Sequence, residues 1–353
     1  MIQGITKIKN SNEYHTVALD SSSSLKDFSL DRKKYFRKYL LLEEIEEKET
    51  QALTMGSLVD VLLLEPDRFD EKFYMSAISS APTGLMLEFT EALYRTTKEA
   101  TNNEGEVTRS FEDISKDAYV ESGFKIKYEA VIGKFIGSDA EIYYNEIRQV
   151  RAKNLIVVTA NDVTNAERIV EELKTNFVTK DIINLVDSKR WEVKKQFQIE
   201  GFQLQEHLFK SMIDLVIIDH EEKTITPWDL KCVWNVEGFY EDYYLYRRAY
   251  IQAYLYYMAC IYFTLMNSEK YTGYEVLPTK FIVCDSINYY NPLIYTLSMG
   301  DMTDAVKGFE YKGRKYPGIY SIIEDLKFAL DQNIWNISRE NFLSKGIVNI
   351  KKI

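Results

Sequence analysis

Residues 191–233, WEVKKQFQIEGFQLQEHLFKSMIDLVIIDHEEKTITPWDLKCV, constrain the fold most. Apolar and polar residues alternate along them, with β-branched side chains in bursts, the pattern of half-buried strands. The spacing predicts strands near 191–199, 203–219 and 224–233. A turn at Glu200-Gly201 joins the first two and His220–Lys223 joins the last two. Such a meander needs other elements to cover it. Residues 20–75 read as mostly helical, with serine caps in SSSSLKDF and a helix ALTMGSLVDVLLLEP that stops before Pro66. Residues 98–122 are polar and weakly patterned, a loop with a short helix, and 123–153 and 162–177 are helical in period. Between those two lies NLIVVTA, a short strand or the start of a buried helix. A Tyr-rich helix follows at 240–267, then strands KFIVCDS and NPLIYTLS, then helices at 300–311 and 317–345.

This order predicts an α/β (α+β) fold, a central mixed sheet flanked by helices with a helical N-terminal elaboration. We expect a single domain over 1–353. Its parts are a helical N-terminal portion (1–75), a helical insertion (76–190), the meander with its following helix (191–299) and C-terminal helices (300–353).

At 46% hydrophobic and 28% charged residues, the 353-residue chain can bury a sizeable core. No apolar run approaches the roughly 20 residues of a membrane span, and the N-terminus lacks the apolar stretch of a secretory signal. Cys232, Cys260 and Cys284 are odd in number, far apart and in apolar surroundings, so free buried thiols are expected. They are too few for an all-cysteine iron–sulfur cluster, and no CxxC pair supports a zinc ribbon. A cytoplasmic protein without a membrane partner is expected. The net charge of −10 argues against nucleic-acid affinity from bulk charge but leaves room for a local positive groove.

TPWDLKC raises a sharper question. On a strand, Asp229 and Lys231 share one face, and Trp228, Leu230 and Cys232 the other. The apolar face can be core while the charged pair lines a cleft. The hairpin through 220–223 brings Asp214 close to Asp229. Two neighbouring carboxylates repel unless a cation or a proton lies between them. Hard oxygen ligands suit Mg²⁺ or Mn²⁺, and a lysine beside them can orient a water or hold a phosphate. A buried salt bridge between Lys231 and either aspartate is the competing reading. Glu192 is a candidate outer ligand or base. Lys194, Lys195 and Lys210 are candidates for a positive groove, and Arg247, Arg248 and Lys210 for contacts with DNA phosphates. His15 and His207 are lone histidines that read as surface or satisfied polar groups.

The residues Asp214, fifteen positions before Asp229, and the run Asp229-Leu230-Lys231 resemble the core motif of the PD-(D/E)XK nucleases. Gln252 and Tyr256, four apart in YRRAYIQAYLYYMA, resemble the QxxxY motif of the RecB-type branch. Upstream, SSSLKDF and MGSLVDVLLLEPDRF resemble the N-terminal signature of the RecE (exodeoxyribonuclease VIII)-like phage exonucleases, with Asp60 where the family usually has histidine. The resemblance covers residues 20–75, 190–260 and, loosely, 308–319. It implies a restriction-endonuclease-like core and a Mg²⁺-dependent exonuclease acting on linear duplex DNA ends, 5′→3′, leaving 3′ tails. Asp60, Asp214, Asp229 and the Leu230 carbonyl would hold the metal. Lys231 would position the water, with Gln252 and Tyr256 bracing the site. It also implies a single-strand annealing partner, a ring-shaped homo-oligomer and a phage- or prophage-type protein in a bacterial cell. A non-catalytic DNA-binding or assembly module and a sequence- or structure-specific endonuclease are the alternatives.

Overall fold

The alternation over 191–233 is realised as three long antiparallel strands. The computed structural model describes residues 19–43, 50–288 and 291–348. Along the chain come α1 (Ser22–Leu30), α2 (Gln51–Leu64), β1 (Phe73–Met75), α3 (Gly84–Glu99), α4 (Phe111–Ser122), α5 (Tyr128–Phe135), α6 (Asp139–Val150), β2 (Ile156–Val158) and α7 (Ala160–Thr175). Then follow β3 (Trp191–Leu204), β4 (His207–Asp219), β5 (Thr224–Val233), α8 (Ala249–Met266), β6 (Glu275–Val276), β7 (Lys280–Asp285) and β8 (Leu293–Thr296). The last elements are α9 (Met299–Lys307), β9 (Gly308–Tyr311), β10 (Arg314–Pro317) and α10 (Ile319–Gln332). The chain divides into two compact units, one formed by 1–49 with 172–353 and the other by Thr50–Glu171.

In the Thr50–Glu171 unit, β1 and β2 pair in parallel from Phe73 opposite Ile156 to Met75 opposite Val158. NLIVVTA is therefore a strand. Phe89 and Leu93 of α3, Ile114 of α4, Phe135 of α5 and Tyr144 of α6 form one apolar core. The stretch 98–122 is more ordered than its polarity suggests: Ser110 caps α4, accepting from the Asp113 amide. Its one buried stripe, Ile114, Ser115 and Ala118, is narrow enough to escape a periodicity reading.

The other unit is built on a six-stranded mixed sheet, ordered β3-β4-β5-β7-β8, with β6 also pairing with β5. β3, β4 and β5 form the antiparallel meander. β5 and β7 run parallel, and α8 lies in the connection between them. α8 is buried nearly all round, which explains its sequence of tyrosines, alanines and leucines without a polar face. It joins Leu25 and Phe28 of α1, Ile218 of β4, Ile225 of β5 and Phe281 of β7 in one core. The fold is thus α/β, with helices flanking a central mixed sheet.

Four boundaries differ from the sequence reading; one is the last helix, α10, which ends at Gln332 with Asn333 in left-handed backbone (φ 52°), short of the expected 345. β3 runs on to Leu204, and the hairpin turns at Gln205 and Glu206, both in left-handed backbone (φ 48° and 64°). Gly201, φ 75°, instead sits where the β3–β4 register shifts, so the glycine marks a bulge rather than the turn. The Tyr-rich helix is broken: Tyr240–Tyr246 form a wide π turn, and Arg248 at φ 56° restarts the chain as α8. Finally, α9 ends at Lys307 and a β9–β10 hairpin follows. At Gly318, which closes that hairpin, a Cβ would lie 2.2 Å from the Val306 carbonyl oxygen, so no larger residue fits.

Candidate functional site

β5 buries both of its faces. Trp228 and Leu230 are buried on one side. On the other, Asp229 is only 1% exposed, although the sequence reading opened that face to a cleft. The reason is α8, which packs over this side of the sheet. Gln252 of α8 donates from Nε2 to Asp229 Oδ1 at 2.7 Å and to the Tyr256 hydroxyl at 2.8 Å. Lys231 Nζ lies 2.5 Å from Asp229 Oδ2, an ion pair without hydrogen-bond geometry, and its side chain remains about a quarter exposed (26%). The lysine therefore links a buried carboxylate to the surface.

Asp214 comes from β4. The β4–β5 ladder ends with Leu215 opposite Trp228, one step short of Asp214 and Asp229. There the Asp214 carboxylate takes over a backbone role: Oδ2 accepts the Leu230 amide at 2.9 Å. The strand alternation also slips at this point. Phe209 and Ile213 before Asp214, and Val216 and Ile218 after it, all belong to the same core. The β3–β4 ladder correspondingly skips Gln196, which has φ 43°. Asp214 thus stands beside β5 where the hairpin register puts it, and a local irregularity accompanies it.

α1 adds a residue that the sequence reading did not single out. Lys26, half-buried, points its ammonium at Gln252 Oε1, 3.4 Å away. Burial is the main influence lowering its pKa to about 8. Lys231 pushes in the same direction, while Asp229 and Asp27 pull it back up. The sequence signal was the lysine inside SSSLKDF, at a helix start whose capping box joins Ser21 and Ser24.

Asp214, Asp229, Leu230, Lys231, Gln252 and Tyr256 lie together on β4, β5 and α8. Asp60 lies in α2, half-buried, in the Thr50–Glu171 unit. Among the described residues, no group of three or more His, Cys, Asp or Glu side chains is gathered as for a metal ion. Arg248 points to the protein itself, donating to the Ser29 carbonyl at 2.6 Å in the last turn of α1. Arg247 stacks over the Tyr243 ring. Lys210 is buried on β4, and burial lowers its pKa against the opposing pull of Glu200 and Asp20. Glu192 belongs to a separate ion network with Lys194, Lys270 and Tyr271. His207 pairs with Asp20 at 2.7 Å, and His15 lies outside the described residues. None of the three cysteines is in a disulfide: Cys260 and Cys284 are buried and Cys232 half-buried. No described helix is long and apolar enough to cross a membrane.

No family model and no curated protein matches the chain. Among solved structures it is similar to a protein from Eubacterium rectale called a "putative exonuclease". The TM-score is 0.48 and the identity 12%, over 99% of this chain and 96% of that one.

Proposed function

We propose that the chain is a Mg²⁺-dependent nuclease of the PD-(D/E)XK type, hydrolysing phosphodiester bonds from the ends of linear duplex DNA, 5′→3′. The observation that carries this reading is the convergence on Asp229. Its carboxylate gathers Lys231 from the same strand and Gln252 with Tyr256 from α8, and Asp214 comes in from the next strand. These are the residues that carry the motif resemblance, and they come from separate elements of the fold.

The donor chemistry fits a hard divalent cation. Two carboxylates from adjoining strands supply oxygen, and Asp229 Oδ2 is buried without a hydrogen bond. Asp214 and Asp229 would hold the ion, with the Leu230 carbonyl. Bound there, it would lower the pKa of a water and offset charge on the phosphate. Gln252 fixes Asp229 through Oδ1, which leaves Oδ2 to Lys231. Lys231, partly exposed, can move from Oδ2 to a water or a phosphate oxygen. Tyr256 limits rotation of the Gln252 amide.

One feature favours a second reading, a non-catalytic DNA-binding or assembly module. Lys231 already sits against Asp229 Oδ2, where a cation would bind. A single experiment separates the two. Purified protein is incubated with 5′-phosphorylated linear duplex and with closed circular DNA, in Mg²⁺ or EDTA, beside Lys231→Ala. Mg²⁺-dependent loss of the linear DNA alone, absent in the variant, supports the exonuclease. Cutting of the circle points to an endonuclease, and no cutting in Mg²⁺ or Mn²⁺ to the module. Light scattering of the same preparation tests the ring-shaped oligomer that the resemblance implies.

A further inference from the structure

We infer that Lys26 is a positioning residue: through Gln252 it holds the Asp229 carboxylate in place and makes the site depend on the docking of α1. The argument starts from donor chemistry. A carboxylate only accepts hydrogen bonds and an ammonium only donates, whereas a side-chain amide does both at opposite ends. Gln252 lies between Asp229 on its nitrogen side, at 2.7 Å, and Lys26 on its oxygen side, at 3.4 Å. The second nitrogen contact, Tyr256, is a hydroxyl that can donate or accept and therefore does not define the amide's direction. Asp229 and Lys26 together do.

Burial makes this arrangement consequential. Gln252 is only 8% exposed, so its oxygen has little access to water once Lys26 is removed. An unpaired buried amide oxygen is costly and the side chain would seek another rotamer. Any rotation moves the Nε2 donor away from Asp229 Oδ1. Lys26 is also close enough to sense both members of the ion pair, Lys231 and Asp229. It sits on α1, whose N-terminal end is tied to β4 by the Lys210 amide donating to the Asp20 carbonyl and whose last turn is held by Arg248. The helix is thus anchored at both ends with Lys26 between them.

The effect on catalysis rests on the nuclease reading, but the effect on Gln252 does not. The test therefore has two arms. In ¹⁵N-labelled protein, the Gln252 side-chain amide signal is identified by its loss in Gln252→Ala. Lys26→Met is expected to shift this signal and speed its hydrogen exchange about tenfold or more, and Lys26→Arg to restore it. If Lys26→Met fails to fold by circular dichroism, Lys26→Ala, which also removes the donor, takes its place with the same expected shift. An unchanged Gln252 signal in folded Lys26→Met, or in the folded variant that replaces it, overturns the inference. In the second arm, the Lys26 variant should lower kcat for linear DNA in Mg²⁺ about tenfold with KM unchanged, and Lys26→Arg should recover most of it. A raised KM with unchanged kcat would assign Lys26 to DNA contact instead and overturn the positioning role. Wild-type protein that cuts no DNA would sink the nuclease reading alone, leaving the resonance arm to decide.

Discussion

Gln252 donates to Asp229 across 23 positions of sequence, and the carboxylate that receives it is almost wholly buried. A buried carboxylate held from two sides can be changed in two ways with opposite outcomes.

Asp229→Asn keeps the shape and the acceptor oxygen for Gln252. DNA cleavage should fall by roughly two orders of magnitude or more, about 3 kcal/mol in the barrier. The circular dichroism spectrum should stay native, because Lys231 can extend into water. Asp229→Ala strands both Gln252 and Lys231, and urea unfolding should show a loss of about 3 kcal/mol. Retained cleavage in the asparagine variant would remove Asp229 from the proposed metal site.

Tyr256→Phe takes from Gln252 one of its two acceptors. The expected cost is about 1 kcal/mol in stability. Turnover should drop several-fold, and more steeply than stability when compared with Tyr254→Phe on the same helix. Equal effects on both would make Tyr256 an ordinary core tyrosine.

Arg247 and Arg248 are adjacent but should behave differently. Arg248→Ala exposes the Ser29 carbonyl and loosens the end of α1, so the thermal midpoint should fall, by about 1–2 kcal/mol in stability. Arg247→Ala should leave stability within about 0.5 kcal/mol. Only Arg247, if it meets DNA, should reduce the slope of log affinity against log salt, by about one. Titrations at several salt concentrations, run beside melting curves, separate the two roles.

Glu192 gives a pH prediction. Burial works against its ionisation, but hydrogen bonds from Lys194 and Lys270 outweigh this and bring it down to about 2 from 4.5. A depressed carboxylate stabilises the fold fully above its unfolded value of 4.5, and that contribution is lost as pH falls toward 2. Solvent around the exposed Lys270 limits the gain to about 1–2 kcal/mol. Wild type and Glu192→Gln should therefore differ in urea midpoint at pH 7 and converge near pH 2–3. Parallel curves at all pH values would remove Glu192 as the source.

The meander was legible because its strands carry β-branched residues in bursts and its turn at 220–223 is rich in charge. The first hairpin turn was not. Gln205 and Glu206 adopt left-handed backbone although a glycine stands four residues earlier, and Phe202 pairs with Phe209 across the hairpin. The break at Arg247–Arg248 was hidden because no glycine or proline marks it. For the cluster around Asp229, the strand pair and the i, i+4 pair Gln252 and Tyr256 could be read from spacing. The burial of Asp229 could not, because it depends on which face of β5 the helix covers. Lys26 was invisible as a partner because it lies 226 residues from Gln252.

That separation sets a timetable. α1 leaves the ribosome before the whole Thr50–Glu171 unit, and Gln252 is made long after it. At about 5–20 residues per second, the 226 residues between Lys26 and Gln252 take roughly 10–45 s to synthesise. During that interval Leu25 and Phe28 lack α8, the helix that buries them in the finished core. The nascent chain must keep these two apolar side chains in reserve until α8 is made. No N-terminal fragment that stops before α8 contains every group that meets at Asp229, so an interrupted translation product cannot assemble this cluster.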